Sequence, residues 1–326
     1  MNIGIDIMGG DFAPKEAIEG VLWFLKENRN TSTTSNSPHF LLFGIEDVAV
    51  PYLQLLEGWE DSYTFIPCGS FIKMHEHPTK ALKEKPDSSI SIGYSYLKES
   101  KIDAFIGAGN TGAMLVGALY SVKAIEGVSR PTIASPLPKL KGGYNFILDV
   151  GANSDCKPEH LLQFAIMGAK YAQHVLKIEK PRVALLNLGA EEGKGNLLAM
   201  ASYNLMKEQN IFDFVGNIEG RDILSDKMDV MVCDGFTGNI VLKFAEGFHL
   251  ALTEDRKIQD DFLDQLNYEN YGGTPILGIN APVIIGHGIS NAKAFYYQIL
   301  GAISMVNSEI IDILKEQFRP KINAEQ

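Results

Sequence analysis

The chain has 326 residues, enough for one large α/β domain or two lobes with a sizeable core, so size sets no obstacle to catalysis. Its 29 Lys and Arg stand against 40 Asp and Glu, a formal net charge of −11 with no basic run. That balance argues against a nucleic-acid partner and against steady electrostatic attachment to anionic lipid, and leaves a local apolar membrane contact open.

In chain order, short apolar runs recur at 2–7, 39–44, 103–107, 145–150, 182–189, 229–233 and 282–286. Most are apolar on both faces, as strands covered by helices on each side must be. A polar Ser/Thr/Asn stretch, 28–38, follows the first helix pattern and carries no assigned function. Helical patterns separate the runs; Pro158 suits the first turn of a helix from about 157 to 176. The segment 251–266 reads as a charged, solvated amphipathic helix. A final helix is expected over about 290–317, where Phe295, Ile299, Ile303, Val306, Ile310 and Ile313 fall at spacings of three and four. The alternation predicts an α/β protein with three α/β/α layers and a mostly parallel, doubly wound sheet.

No segment reaches the ~18 apolar residues of a membrane span, and the start, MNIGIDIMGGD, lacks the regions of a signal peptide. Cys68, Cys156 and Cys233 lack paired spacings and read as reduced thiols, Cys233 as a buried inert one. The expectation is a cytoplasmic protein.

In such a sheet, ligands bind beyond the carboxyl ends of the strands, where helix N-termini point N–H groups inward. Six strand ends here carry glycine with Asp, Asn, Thr or Ser, and one cleft is expected to collect them. They are Asp6, Gly9, Gly10 and Asp11; Gly109, Asn110, Thr111 and Gly112; Asp149 and Asn153; Glu191, Lys194 and Asn196; Asp234, Thr237, Gly238 and Asn239; and His287 with Ser290. Such residues also make ordinary turns and caps. Asp6 and Asp149, within or ending apolar strands, fit that reading less well, because a buried carboxylate needs partners.

Gly107, Gly109 and Gly112 spell the dinucleotide G-x-G-x-x-G. That fold wants an acidic residue ending the next strand, whereas the next pattern, PTIASP, ends in Ser135 and Pro136. The turn therefore reads better as an anion cradle for phosphate, with Lys194 between glycines as a second phosphate-binding charge. His75 and His77 have the spacing of a metal pair without a matching ligand cluster, so no metal and no cofactor are expected.

The segments IDIMGGDFAPKEAIEG, GAGNTGAML, LDVGANSDCKPEHLLQFAIMG, EEGKGN, FVGNIEGRDI, CDGFTGNIVLK, YGGTPILG and HGISNAKAF together resemble the bacterial acyl-acyl carrier protein:phosphate acyltransferase family, PlsX, in order and over nearly the whole chain. The resemblance implies attack of inorganic phosphate on a long-chain acyl-acyl carrier protein, giving acyl phosphate for phosphatidic acid and phospholipid synthesis. It also implies a fold similar to phosphate acetyltransferases and isocitrate- and isopropylmalate-dehydrogenase-like proteins, a homodimer, peripheral contact with the inner face of the cell membrane, and a glycerol-3-phosphate acyltransferase downstream.

On that reading Asn153, Asn239 and His287 supply oxyanion or proton donors and Lys194 grips phosphate. The other strand-end residues line the substrate site, and Lys80, Lys83 and Lys85 form a basic cluster for an acidic carrier. The chain is expected to form one catalytic module, or two lobes sharing a cleft. Two features depart from the family: Phe12 stands where His usually follows GGD, and 251–272 is short for the family's helical hairpin. A phosphotransacetylase-type enzyme using acyl-coenzyme A is the close rival, and an NAD-dependent dehydrogenase a more distant one.

Overall fold

The computed structural model describes residues 1–28 and 37–320, so most of the polar stretch at 28–38 lies outside the described residues. Among the described residues the strands are β1 (Asn2–Asp6), β2 (His39–Gly44), β3 (Tyr63–Pro67), β4 (Ala104–Gly107), β5 (Thr132–Pro138), β6 (Tyr144–Leu148), β7 (Arg182–Leu186), β8 (Asp213–Ile218), β9 (Val230–Val232), β10 (Gly273–Leu277) and β11 (Val283–Gly286). The helices are α1 (Lys15–Glu27), α2 (Glu46–Leu53), α3 (Pro78–Glu84), α4 (Ser89–Lys98), α5 (Thr111–Ser121), α6 (Pro158–His174), α7 (Leu197–Lys207), α8 (Gly235–Leu250), α9 (Asp261–Gln265), α10 (Ala292–Asn307) and α11 (Ile310–Phe318). The chain divides into two compact units, Met1–Lys123 with Tyr268–Asn307, and Ala124–Asn267 with the chain from Ser308 onward.

In the first unit the strand order is β3-β2-β1-β4-β11-β10, parallel except for the β10–β11 pair. Ile3, Ile5, Phe40, Leu42, Phe105 and Ile106 are fully buried. Successive strand residues point to opposite faces, so burial of both needs helices on both. α1 and α10 pack together over the strands, and α4 packs on β1, β2 and β4 beside α5. Phe24 meets Phe40, and Phe105 meets both Phe43 and Tyr94, in edge-on ring contacts.

In the second unit the order is β5-β6-β9-β7-β8, parallel except for β5–β6. α6 packs across β6, β7 and β9, burying Leu161, Phe164, Ala165 and Met167. The start of this sheet is clamped by Asp229. Its carboxylate accepts from Lys139 Nζ at 2.7 Å, from Arg182 Nη2 and Nε at 3.0 and 3.1 Å, and from the Arg182 backbone N–H at 3.0 Å. Burial raises this carboxyl, yet the two cations and the N–H overcome it and hold it down at about 2.

The expected α/β architecture with mostly parallel strands is present, with two departures in the helices. The expected helix at 290–317 is two helices, α10 and α11, separated where Glu309 adopts a left-handed φ of 55°. The apolar spacing runs on through this break, which periodicity cannot see. The buried positions are Ala294, Phe295, Gln298, Ile299, Ala302 and Met305 before it and Ile310, Ile311 and Leu314 after it, while Ile303, Val306 and Ile313 are half-buried. Segment 251–266 is likewise interrupted: a π-helical turn at Ala251–Asp255, Lys257 at φ 54°, then α9 capped by Asp260.

Candidate functional site

In the first unit, four loops meet at the carboxyl ends of β1, β4 and β11. Asp6 ends β1 and is 1 % exposed, its Oδ1 accepting the Met8 N–H at 3.0 Å. Burial raises its carboxyl to about 6, against that N–H, which lowers it. Gly9 and Gly109 carry the β1 and β4 loops past each other. A Cβ on Gly9 would sit 2.5 Å from the Gly109 nitrogen and 2.9 Å from Asp6 Oδ2, so only glycine permits the approach. Gly10 has a left-handed φ of 97°, and the Asp11 N–H donates to the Gly288 carbonyl at 2.7 Å, tying in the β11 loop.

Asn110 caps α5, its Oδ1 accepting from the Ala113 N–H at 3.0 Å. Its Nδ2 donates to the carbonyls of Lys73, Met74 and Glu76 at 3.1, 3.1 and 2.8 Å. Both ends of the side chain are engaged in holding loop 73–76 against the helix start. The N–H groups of Thr111 and Gly112 have no hydrogen-bond partner among the described residues, and the Thr111 side chain is exposed. His287 follows β11, with its Nδ1 3.4 Å from the Ile289 N–H. Ser290, next along, is buried near Gln298.

In the second unit Asp149, at the end of β6, is fully buried and satisfied by four donors. Oδ1 accepts from Thr132 Oγ1 at 3.1 Å and the Ile133 N–H at 2.9 Å; Oδ2 accepts from the Asn153 N–H at 2.6 Å and Asn153 Nδ2 at 3.0 Å. Burial raises its carboxyl and these donors pull it back. Asn153, 6 % exposed, also donates from Nδ2 to the Pro131 carbonyl at 2.8 Å, and its own carbonyl accepts the Gly235 N–H at 2.8 Å. A Cβ on Gly238 would collide with the Asp149 carbonyl, so the first turn of α8 lies directly on this pair. Asp234 caps α8, accepting from the Thr237 N–H at 2.8 Å and Thr237 Oγ1 at 3.0 Å. Asn239, one turn along, is exposed beside Gly151, and its amide has no partner among the described residues.

The β7–α7 loop is braced by Asn187, whose Nδ2 donates to the Lys194 carbonyl at 3.0 Å and to Asn217 Oδ1 at 3.1 Å; Asn217 in turn donates to the Glu191 carbonyl at 2.9 Å. Asn196 caps α7 through the Ala199 N–H at 2.8 Å. Lys194 is exposed, its stem beside Gly189 and its ammonium unpaired among the described residues; Glu191 is exposed as well. A pocket of about 380 Å³ opens between these elements and brings together Asn196, Asp234 and Thr237 from the expected set, together with Cys233 and apolar residues of α6, β7, α7 and α8. Burial pushes the thiol of Cys233 well up, and those of Cys68 and Cys156 to about 12 and about 11.

The six strand ends thus sort into two sets, three in each unit. Of the three lysines of the basic cluster, Lys85 is paired to Glu76 at 2.6 Å and Lys80 to Glu84 at 3.8 Å, leaving Lys83 as the one without a partner among the described residues. Among the described residues no three His, Cys, Asp or Glu side chains gather as a metal site, and no helix is long and apolar enough to cross a membrane.

The family model described as fatty acid synthesis protein matches residues 1–257 and 250–313. The chain belongs to that family. A phosphate acyltransferase of Dictyoglomus turgidum (strain DSM 6724 / Z-1310) is 40 % identical over 328 residues, covering 95 % of each chain. That of Lysinibacillus sphaericus (strain C3-41) is 40 % identical over 337 residues, covering 98 % of each. With its family the chain falls among the acyltransferases. Its fold is shared by a branched-chain phosphotransacylase from Enterococcus faecalis V583 (TM-score 0.61, 14 % identity, 94 % of this chain and 99 % of that one). A phosphotransacetylase from Streptococcus pyogenes is equally similar (TM-score 0.61, 16 % identity, 94 % of each chain).

Some residues of these fatty acid synthesis family sites carry no local signal in the sequence. Thr132, Asn187 and Asn217 hold site loops, yet each acts on a residue far along the chain. The strand-end pattern reaches the β7 end where Asn187 lies, whereas Asn217 in β8 and the carbonyls of 73–76 that engage Asn110 carry no such signal.

Proposed function

We propose that the chain transfers a long-chain fatty acyl group from acyl carrier protein to inorganic phosphate, giving acyl phosphate for phosphatidic acid and phospholipid synthesis. The observation that carries this reading is that Lys194, on the braced β7–α7 loop, and Asn239, near the start of α8, are a cation and an amide donor that are exposed and unpaired among the described residues. Phosphate is already an anionic nucleophile at neutral pH, so the task is to hold it and to stabilise the oxyanion that forms.

An oxygen of hydrogenphosphate attacks the thioester carbonyl, the tetrahedral oxyanion collapses, the carbon–sulfur bond breaks, and the proton that the phosphate brought passes to the departing thiolate, so the carrier leaves as its thiol. Lys194 binds phosphate, and Asn239 donates to the developing oxyanion. The free N–H groups of Thr111 and Gly112 are a second phosphate-binding position, built by backbone rather than by the occupied Asn110 side chain. Asn153 and Asp149 fix the start of α8, the helix that carries Asn239.

The same reading includes a homodimer and a peripheral contact with the cytoplasmic face of the membrane. It is supported by the exposed Phe236, Ile240, Phe244 and Phe248, which recur every four residues along α8. Its product would be consumed by a glycerol-3-phosphate acyltransferase. Donor choice is tested by supplying palmitoyl-acyl carrier protein and palmitoyl-coenzyme A separately with labelled phosphate. Preferential labelling with the carrier protein supports the proposal, and preference for coenzyme A returns the phosphotransacetylase reading.

A further inference from the structure

The pocket of the second unit has a composition that phosphate chemistry does not explain. It is open to one side, holds about 380 Å³, and includes no Lys, Arg or His in its lining. Its one ionisable carboxylate, Asp234, would repel an anion, and that carboxylate is already occupied by the Thr237 N–H and hydroxyl. The walls are aliphatic: Leu161, Leu185, Leu198, Ile223 and Val241 come from five different segments. At the mouth Leu188 is 74 % exposed, and the neighbouring Leu197 is 83 % exposed, an unusual apolar rim for a loop that otherwise carries Glu191, Glu192 and Lys194.

From these features we infer that this pocket holds the hydrocarbon chain of the acyl donor. The inference rests on the acyltransferase reading, and it reassigns Asn196, Asp234 and Thr237 from phosphate contacts to the architecture of a chain-binding pocket. Size is consistent with this occupant. The volume is many times the ~10–15 Å³ that a single water needs, so a run of chain methylenes is accommodated. The larger hollow of the first unit, about 490 Å³, is less suited. It reaches α5 at Gly117–Ser121, six residues or more beyond the helix N-terminus and so about 9 Å or more by helix rise from the strand ends where the chemistry-bearing residues lie. It also contains Lys83, whose ammonium a chain would have to desolvate.

Filling the pocket separates this inference from the parent reading. Val241→Phe, on the pocket wall and outside the proposed chemistry, is expected to lower kcat/KM for palmitoyl-acyl carrier protein by ~10-fold or more, while octanoyl-acyl carrier protein changes by less than ~3-fold. The phosphate KM should not move. Equal losses for both chain lengths in a variant that unfolds like the wild type would overturn the pocket assignment and leave the acyltransferase reading standing. Binding of palmitate, measured by calorimetry on wild type and on Val241→Phe and Ala199→Phe, gives a readout independent of turnover. Weakened binding in both variants supports the assignment even if no acyl phosphate forms with any donor, and unchanged affinity in both rejects it.

Discussion

The two units place the same kinds of residue, glycine with Asn and Asp after a strand, in opposite states of use. In the first unit Asn110 is engaged at both ends of its amide, and Gly9 and Gly109 serve the close approach of two loops over Asp6. In the second, buried Asp149 and Asn153 satisfy each other and the backbone around them, which leaves Asn239 and Lys194 outside with unspent donors. A polar residue beyond a strand is therefore a candidate for chemistry only once its local partners are counted. Asp149 and Asn153 are buried and engaged, whereas Asn239 and Lys194 are exposed and unpaired among the described residues.

The sharpest break of that contrast is at Lys194. Lys194→Ala should reduce turnover by ~100-fold or more with urea unfolding unchanged, since the ammonium holds no structural partner among the described residues. Asp149→Ala should do the reverse in kind. It strands four donors, two from the backbone, and should cost about 3 kcal/mol or more in the same unfolding measurement. Activity should fall with it because the start of α8 loses its seat.

The carboxylates of the two units should also pull stability in opposite directions with pH. Asp6 has a folded value of about 6, above its ordinary unfolded value, so the folded state binds more protons between about pH 4 and 6 and stability declines as pH rises through that window. Asp6→Asn should flatten this slope, an effect of ~3 kcal/mol between the two ends. Asp229 lies below its ordinary value, so its contribution is present above about pH 4 and is lost as pH falls toward 2. Asp229→Asn should remove that acid-side loss. Unfolding midpoints measured at several pH values check both slopes, and parallel slopes in the two variants would contradict the assignment.

The smallest effect sharpens the comparison from the first unit's side. Asn110→Ala removes a cap and releases loop 73–76, which should cost about 1–2 kcal/mol in the unfolding experiment. Its phosphate KM should stay within ~3-fold of wild type, because backbone N–H groups remain at the helix start. A large rise in KM without loss of stability would return the Asn110 side chain to the phosphate site.

Much of this fold was legible from the apolar runs. β1, β2, β4, β6, β7, β9 and β11 lie where these runs are, because strands buried on both faces cannot be polar on either. β3, β8 and β10 are less visible, being interrupted by proline, glycine, threonine or asparagine, as in YTFIP, DFVGNI and GTPIL. Their place comes from pairing with neighbours rather than from their own pattern. For the site, strand-end composition led to the right loops but could not tell an occupied amide from a free one. The carbonyls that engage Asn110 lie 34 to 37 residues upstream, and Lys85 meets Glu76 nine residues back, distances at which no local motif speaks.

The most direct test of the account compares wild type with folded Lys194→Ala in one assay, incorporation of labelled phosphate from palmitoyl-acyl carrier protein. Acyl phosphate is expected from the wild type, with a loss of ~100-fold or more in the variant. Label from the variant within ~3-fold of wild type, or none from the wild type itself, would contradict it.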